Sequence, residues 1–225
     1  MRWCGTRTLC DAACGGCSLQ RTWRCRRRLF EATDSGYRFG QHSYVVHPKE
    51  GTLVELRDLL IDGIEQLNDW IDDALKDLDD EQVNWLLPGK TVSIGFNVWH
   101  TLRTQDDIVN FVLQGRKPTV WMSEGFAERL GLPPVGQGTG MSLEDARALR
   151  VSVAPMRDYC ARVKAVTLDF VKNVPVEELE QIQLIRPLGE MPKWKVLRQV
   201  VMTHGFMHLG EVNTIKGALG GSFSI

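Results

Sequence analysis

Between Thr52 and the pair Pro88 and Gly89, the chain carries the pattern that most limits its fold. In TLVELRDLLIDGIEQLNDWIDDALKDL, apolar Leu53, Leu56, Leu60, Ile64, Leu67, Ile71, Leu75 and Leu78 recur at intervals of three and four, with acids crowding the opposite face. That period puts one apolar stripe on an α-helix and is incompatible with the two-residue alternation of a half-buried strand. A helix with one apolar face must bury it against other elements. It is expected to end before LLPGK, where Pro88 and Gly89 break the pattern.

The partners are legible further on. A second helix is predicted from near Thr91 through SIGFNVWHTLRTQDDIVNFVLQG to about Gly115, which suits a helix C-cap. Residues 116–141 form a long connection ending in GLPPVGQGTGM, with one short helical turn over 124–130. Ser142, followed three residues later by Asp145, signals the start of a third helix over 142–173, which Pro155 should kink or begin afresh. PVEELEQ and RPLGEMP make a second connection, and a last helix runs over 193–219 to Gly220 and Gly221. No segment alternates convincingly enough for a strand. The expected fold is all-α: a four-helix bundle over residues 51–225, with a long crossover between helices 2 and 3.

Composition agrees with one soluble domain plus an appendage. The chain has 225 residues, 43% hydrophobic and 24% charged, and no apolar run of eighteen, so no membrane span is expected. The charge is unevenly spread. Residues 1–30 hold seven arginines against one acid, which leaves a net −7 on the remainder. An acidic body offers no nucleic-acid groove.

Cys4, Cys10, Cys14, Cys17 and Cys25 also lie in that leader, and Cys160 alone lies beyond, which suits a reducing cytoplasm. The spacing of Cys10, Cys14 and Cys17 is one that iron–sulfur sites use, and Cys25 would complete a zinc knuckle. A transit peptide is a further reading of an Arg-rich, acid-poor leader. The plainest expectation for residues 1–50 is a disordered extension, or upstream sequence from a wrongly assigned start.

Chemistry concentrates in VVMTHGFMHLGE, residues 200–211. On a helix, His204 and His208 stand about 40° apart and Glu211 about 20° to the other side of His204, so the three form one stripe bordering apolar Val200, Val201, Phe206 and Met207. Buried imidazoles need partners. A divalent metal would satisfy them together, and imidazole suits Zn²⁺, Ni²⁺, Fe²⁺ or Cu²⁺. His100, in the middle of FNVWHTLRTQDD, is the natural third ligand, because the two remaining histidines, His42 and His47, precede the first helix. Three histidines with open positions would make a catalytic site; two core-edge histidines bonded to backbone or water are the structural alternative. Gly205 stands where a zincin needs Glu, and a di-iron bundle needs two Glu-x-x-His pairs. Cys160, in YCARVKAV, reads as a small core or helix-surface residue and not as a nucleophile.

Three segments, EQVNWLLPGKTVSIGFNVWHTLRTQDD, WMSEGFAERLGLP and VLRQVVMTHGFMHLGEVNTIKGALG, resemble the DinB-like superfamily of metal-binding four-helix bundles over roughly residues 52–220. The resemblance implies that His100, His204 and His208 are the metal ligands, for Zn, Ni, Fe or Mn. It implies that Glu211 orients an imidazole N–H, and that Asp106 supports the site or holds a helix contact without ligating. Gly205 is less usual in the motif and points to close helix packing beside the metal, since glycine costs a helix about 1 kcal/mol relative to alanine. Known relatives include transferases and isomerases that use low-molecular-weight thiols. The resemblance therefore implies a thiol activated by the metal to attack a small electrophile, with the 116–141 linker covering the site and Trp121 and Phe126 shaping an apolar pocket. A metal-dependent hydrolase and a non-catalytic, stress-linked metal-binding bundle are the alternatives. A small-molecule substrate and a homodimer are expected; nucleic acid and membrane are not.

Overall fold

The computed structural model describes residues 55–221. The Cys/Arg-rich leader, with the readings attached to Cys10, Cys14, Cys17 and Cys25, lies outside them. The described chain begins with α1 (Leu56–Leu75) and the single turn α2 (Asp80–Val83). Next comes α3 (Ile94–Asp106), which runs directly into a π-helical turn, Asp107–Val112. The crossover carries α4 (Val120–Ser123), α5 (Phe126–Leu130) and α6 (Leu143–Ala148), and leads to the long α7 (Val153–Asn173). After α8 (Val176–Leu179), strands β1 (Ile182–Ile185) and β2 (Gly189–Pro192) form a hairpin. The last rod starts as α9 (Lys193–Val196), passes through a second π-helical stretch, Leu197–Thr203, and continues as α10 (His204–Ala218).

The fold is mostly helical, as expected. α1 packs chiefly on α7 and α3 on α10, with further α3–α7 and α1–α10 contacts. The stripe on α1 is buried as the pattern demands: Leu60, Ile64, Leu67, Ile71 and Leu75 have almost no exposed surface. None of the described helices is long and apolar enough to cross a membrane.

The structure corrects three expectations. The first helix stops at Leu75, because Asp79 caps a separate turn by accepting hydrogen bonds from Glu81 N and Gln82 N at 2.9 and 2.8 Å. The expected 142–173 helix is two. Ser142 Oγ caps α6, and the chain then opens at Leu149 before α7 begins, with Pro155 in the first turn, where no N–H is missed. The break is held from outside: the Asn84 amide accepts from Val151 N at 2.9 Å and donates to Val151 O at 2.7 Å, while Asp80 accepts from Val153 N. Finally, a hairpin occupies part of the second connection. Ile182 pairs with Pro192 and Ile185 with Gly189, four residues a side, too short to show alternation.

What fixes the crossover is Asp106. Its fully buried carboxylate accepts from Val120 N at 3.0 Å and Trp121 N at 2.9 Å, the free amides that open α4. It also accepts from Tyr159 Oη and Asn110 Nδ2, each at 2.8 Å, and lies 3.6 Å from Arg103 Nη1. Burial, and next the Asp106 charge, push the Tyr159 phenol well above its ordinary range, so it stays a donor. Three elements thus meet on one carboxylate. Deleting a partner from a buried charged network costs about 3–5 kcal/mol. Asp106→Ala is accordingly expected to lose about 3 kcal/mol or more in urea unfolding, and a loss below about 1 kcal/mol would show that the network is dispensable.

Candidate metal site

His100 lies in the second turn of α3, while His204 opens α10 and His208 follows one turn later. The structure brings the three together. His204 Nε2 lies 3.2 Å from His100 Nε2 and 3.1 Å from His208 Nε2. The three rings stand nearly perpendicular to one another, at 77°, 87° and 82°. Among the described residues this is the one cluster of three or more His, Cys, Asp or Glu side chains with ligand atoms within 4.8 Å of one another.

The far sides of two rings decide their tautomers. His100 Nδ1 faces the carbonyl oxygen of Gln137, and His208 Nδ1 faces both Asn97 Oδ1 and Glu211 Oε2 at 3.0 Å. Each Nδ1 therefore donates its proton outward, and each Nε2 turns a lone pair inward. Two lone pairs directed at a third ring nitrogen about 3 Å away are a poor arrangement unless a cation or one shared proton lies between them. The spacing suits a cation: metal–imidazole bonds of about 2.0–2.1 Å place neighbouring nitrogens about 2.8–3.4 Å apart for angles between square and tetrahedral. His100, His204 and His208 thus fit a divalent ion by convergence and spacing, and two of the three by fixed tautomer.

Local packing holds these positions. Gly138 sits at φ +93°, and a Cβ there would meet Trp99 Cζ3 at 3.0 Å and Phe96 Cζ at 3.1 Å. Glycine lets the crossover lie on α3, which sets the Gln137 carbonyl on His100. Arg103 Nε adds a bond to the Gly136 carbonyl at 3.3 Å, and Phe96 stacks on the His100 ring. On the other side, a Cβ at Gly205 would lie 2.5 Å from Leu67 Cδ2. α1 therefore approaches α10 closely beside His204, and the glycine expected to permit close packing does so. The π-helical stretch Leu197–Thr203 delivers the chain into His204, in keeping with the frequent placement of π-turns at functional sites.

Other predicted residues fall elsewhere. Glu211 lies with its Oε2 3.0 Å from His208 Nδ1. Asp106 touches none of the three histidines and serves the helix contact described above. Trp121 and Phe126, expected at a pocket wall, have no exposed surface. Trp121 rests edge-on against Tyr159 and Trp99, under the Arg103 guanidinium, and Phe126 lies 5.0 Å from the Tyr159 ring. The amides pinned by Asp106 draw this part of the crossover into the core. Asn97 and Gln137 were missed. Asn97, a buried amide one turn before His100, carries a weak signal as a polar residue in an apolar helix. Gln137 acts through its backbone and carries none.

Electrostatics keep the ligands ready. Burial lowers the His204 pKa from its ordinary 6.5 to about 4, with the neighbouring His208 and His100 adding to the effect. Burial also lowers His100, against the Gln137 hydrogen bond. Both rings are neutral near pH 7, as a metal ligand must be. The unfolded chain binds protons more readily than the fold does between these values. The stabilisation is therefore complete above about pH 6.5 and drains as pH falls toward about 4. The metal-free wild type is expected to lose more melting temperature across that window than His204→Ala; equal losses would place the acid sensitivity elsewhere.

A family model described as the DinB superfamily matches residues 64–212. Among solved structures, a crystal structure of a "conserved protein of locus from Enterococcus faecalis" is similar at 19% identity and a TM-score of 0.64, over 75% of this chain and 99% of that one. That likeness speaks for the fold. No curated protein matches the chain. The sequence match spans α1 to α10 and includes all three histidines: the chain belongs to the DinB superfamily.

Proposed function

We propose that the chain holds a divalent metal (Zn, Ni, Fe or Mn) at His100, His204 and His208 and acts as a thiol S-transferase on small electrophiles. The observation that carries this reading is the convergence of three Nε2 atoms, with the tautomers of His100 and His208 set from outside. The cluster contains three ligating side chains and not four, and His204 and His208 are only partly buried. A closed structural site has four protein ligands, whereas three with solvent access leave room for a reactant. When bound there, a divalent cation would lower the pKa of a thiol that joined it, supplying the nucleophile near neutral pH.

The chain's own groups do the rest. Asn97 and Glu211 hold the His208 ring, and the Gln137 carbonyl holds His100. Among the described residues, no cysteine is placed to supply a sulfur nucleophile. Cys160, the free cysteine of the described residues, is buried, and burial pushes its thiol above the ordinary range, where it stays protonated.

The test is transfer of a low-molecular-weight thiol to a model electrophile by metal-loaded protein. The wild type is expected to accelerate the reaction, and His208→Ala to reduce the rate at least about 100-fold, since even groups behind the ligands cost about 10–100-fold. Equal rates in the two proteins would contradict catalysis and favour a bundle whose metal only stabilises the fold.

A further inference from the structure

A cavity of about 370 Å³ opens where the crossover meets the π-helical turn and the hairpin, and none of the three histidines lines it. Its size lies in the usual range of small-molecule sites, about 300–1,000 Å³. Phe111, Met122, Val135 and Leu184 wall it, and each of these large apolar side chains is left 47–79% exposed. Single exposed apolar residues are ordinary, but four on one cavity, drawn from four separate segments, mark a binding surface. The π-helical turn Asp107–Val112 supplies part of the lining, its wide turn closed by Leu113 N donating to Ile108 O at 2.9 Å. Such turns are rare and concentrate at functional sites.

Charge gathers at the inner end. Arg103, 3% exposed, stands between two carboxylates, with Nη2 3.0 Å from Asp107 Oδ1 and Nη1 3.6 Å from Asp106 Oδ2. One guanidinium between two carboxylates leaves one negative charge over. Asp106 has no exposed surface, so that charge reaches the cavity at Asp107, whose side chain is 28% exposed. Asp107 Oδ2 has no partner among the described residues. Burial raises the Asp107 carboxyl above its ordinary range against the pull of Arg103, so its charge is underpaired. We propose that the cavity binds a small apolar monoamine, with the ammonium on Asp107 Oδ2 and the hydrocarbon against Phe111, Met122, Val135 and Leu184. Arg186, the exposed cation of the lining, selects against a second positive charge on the ligand. The site stands apart from the metal reading: the segment of Gly136 and Gln137 lines the cavity, and the Gln137 carbonyl faces His100.

The test titrates the full chain with hexylamine, hexanol, hexanoate and hexane-1,6-diamine, reading binding from backbone amide shifts by NMR. Hexylamine is expected to move the amides of Asp107, Phe111 and Gly136 and to bind about tenfold more tightly than hexanol, the worth of a hydrogen bond to a charged group. Asp107→Asn should erase that preference. Val135→Lys alters a residue that is 79% exposed and carries no burden in folding; it should weaken hexylamine more than hexanol. Equal binding of hexylamine and hexanol, or a preference that survives Asp107→Asn, would overturn the proposal. So would tighter binding of hexanoate or of the diamine, since Arg186 would then be the anchor in the first case and no barrier in the second. Shifts of the same amides that follow protein concentration alone would assign the cavity to a second copy of the chain and overturn it too.

Discussion

The buried carboxylate of Asp106 is the interaction on which the arrangement turns. A charge without solvent is tolerable only when its oxygens are used, and here they are used by the crossover, by α7 and by the π-helical turn that continues α3. That requirement pulls the start of the long connection into the core. The same connection later returns over α3 at Gly136 to Gly138, where Arg103, an ion-pair partner of Asp106, holds the Gly136 carbonyl. The Gln137 carbonyl then meets His100. A polar contact far from the histidines in the hydrogen-bond network therefore bears on the tautomer of one of them.

The site follows from packing as much as from its ligands. Gly138 and Gly205 remove side chains where the crossover meets α3 and where α1 meets α10, and each lies within a residue or two of a group that sets the triad. Asn97 and Glu211 complete the support from opposite helices, both bonded to one ring nitrogen of His208. Among the described residues, the inward-facing nitrogens meet one another. That is an arrangement a cation resolves.

Much of this was legible in the chain. The period of α1, the Ser142 cap and the four-residue spacing of His204 and His208 depend on local geometry, which sequence reports directly. Placing His100 opposite them required only that its helix face the core. What escaped depends on distant partners. The break before α7 exists because Asn84, 67 residues away, takes both backbone groups of Val151. The split of the first helix turned on a cap at Asp79 inside an acidic run. The hairpin was too short to announce itself. Trp121 and Phe126 looked like pocket residues because aromatic residues in a long linker resemble a lid, whereas the linker amides bonded to Asp106 carry them inward.

The central claim is that His100, His204 and His208 together hold a divalent metal. Metal analysis of protein purified without an affinity tag, wild type beside His208→Ala, tests it most directly. The account predicts close to one equivalent of divalent metal, about one ion per chain, in the wild type and a substoichiometric trace in the variant. Equal metal content in the two proteins would contradict it.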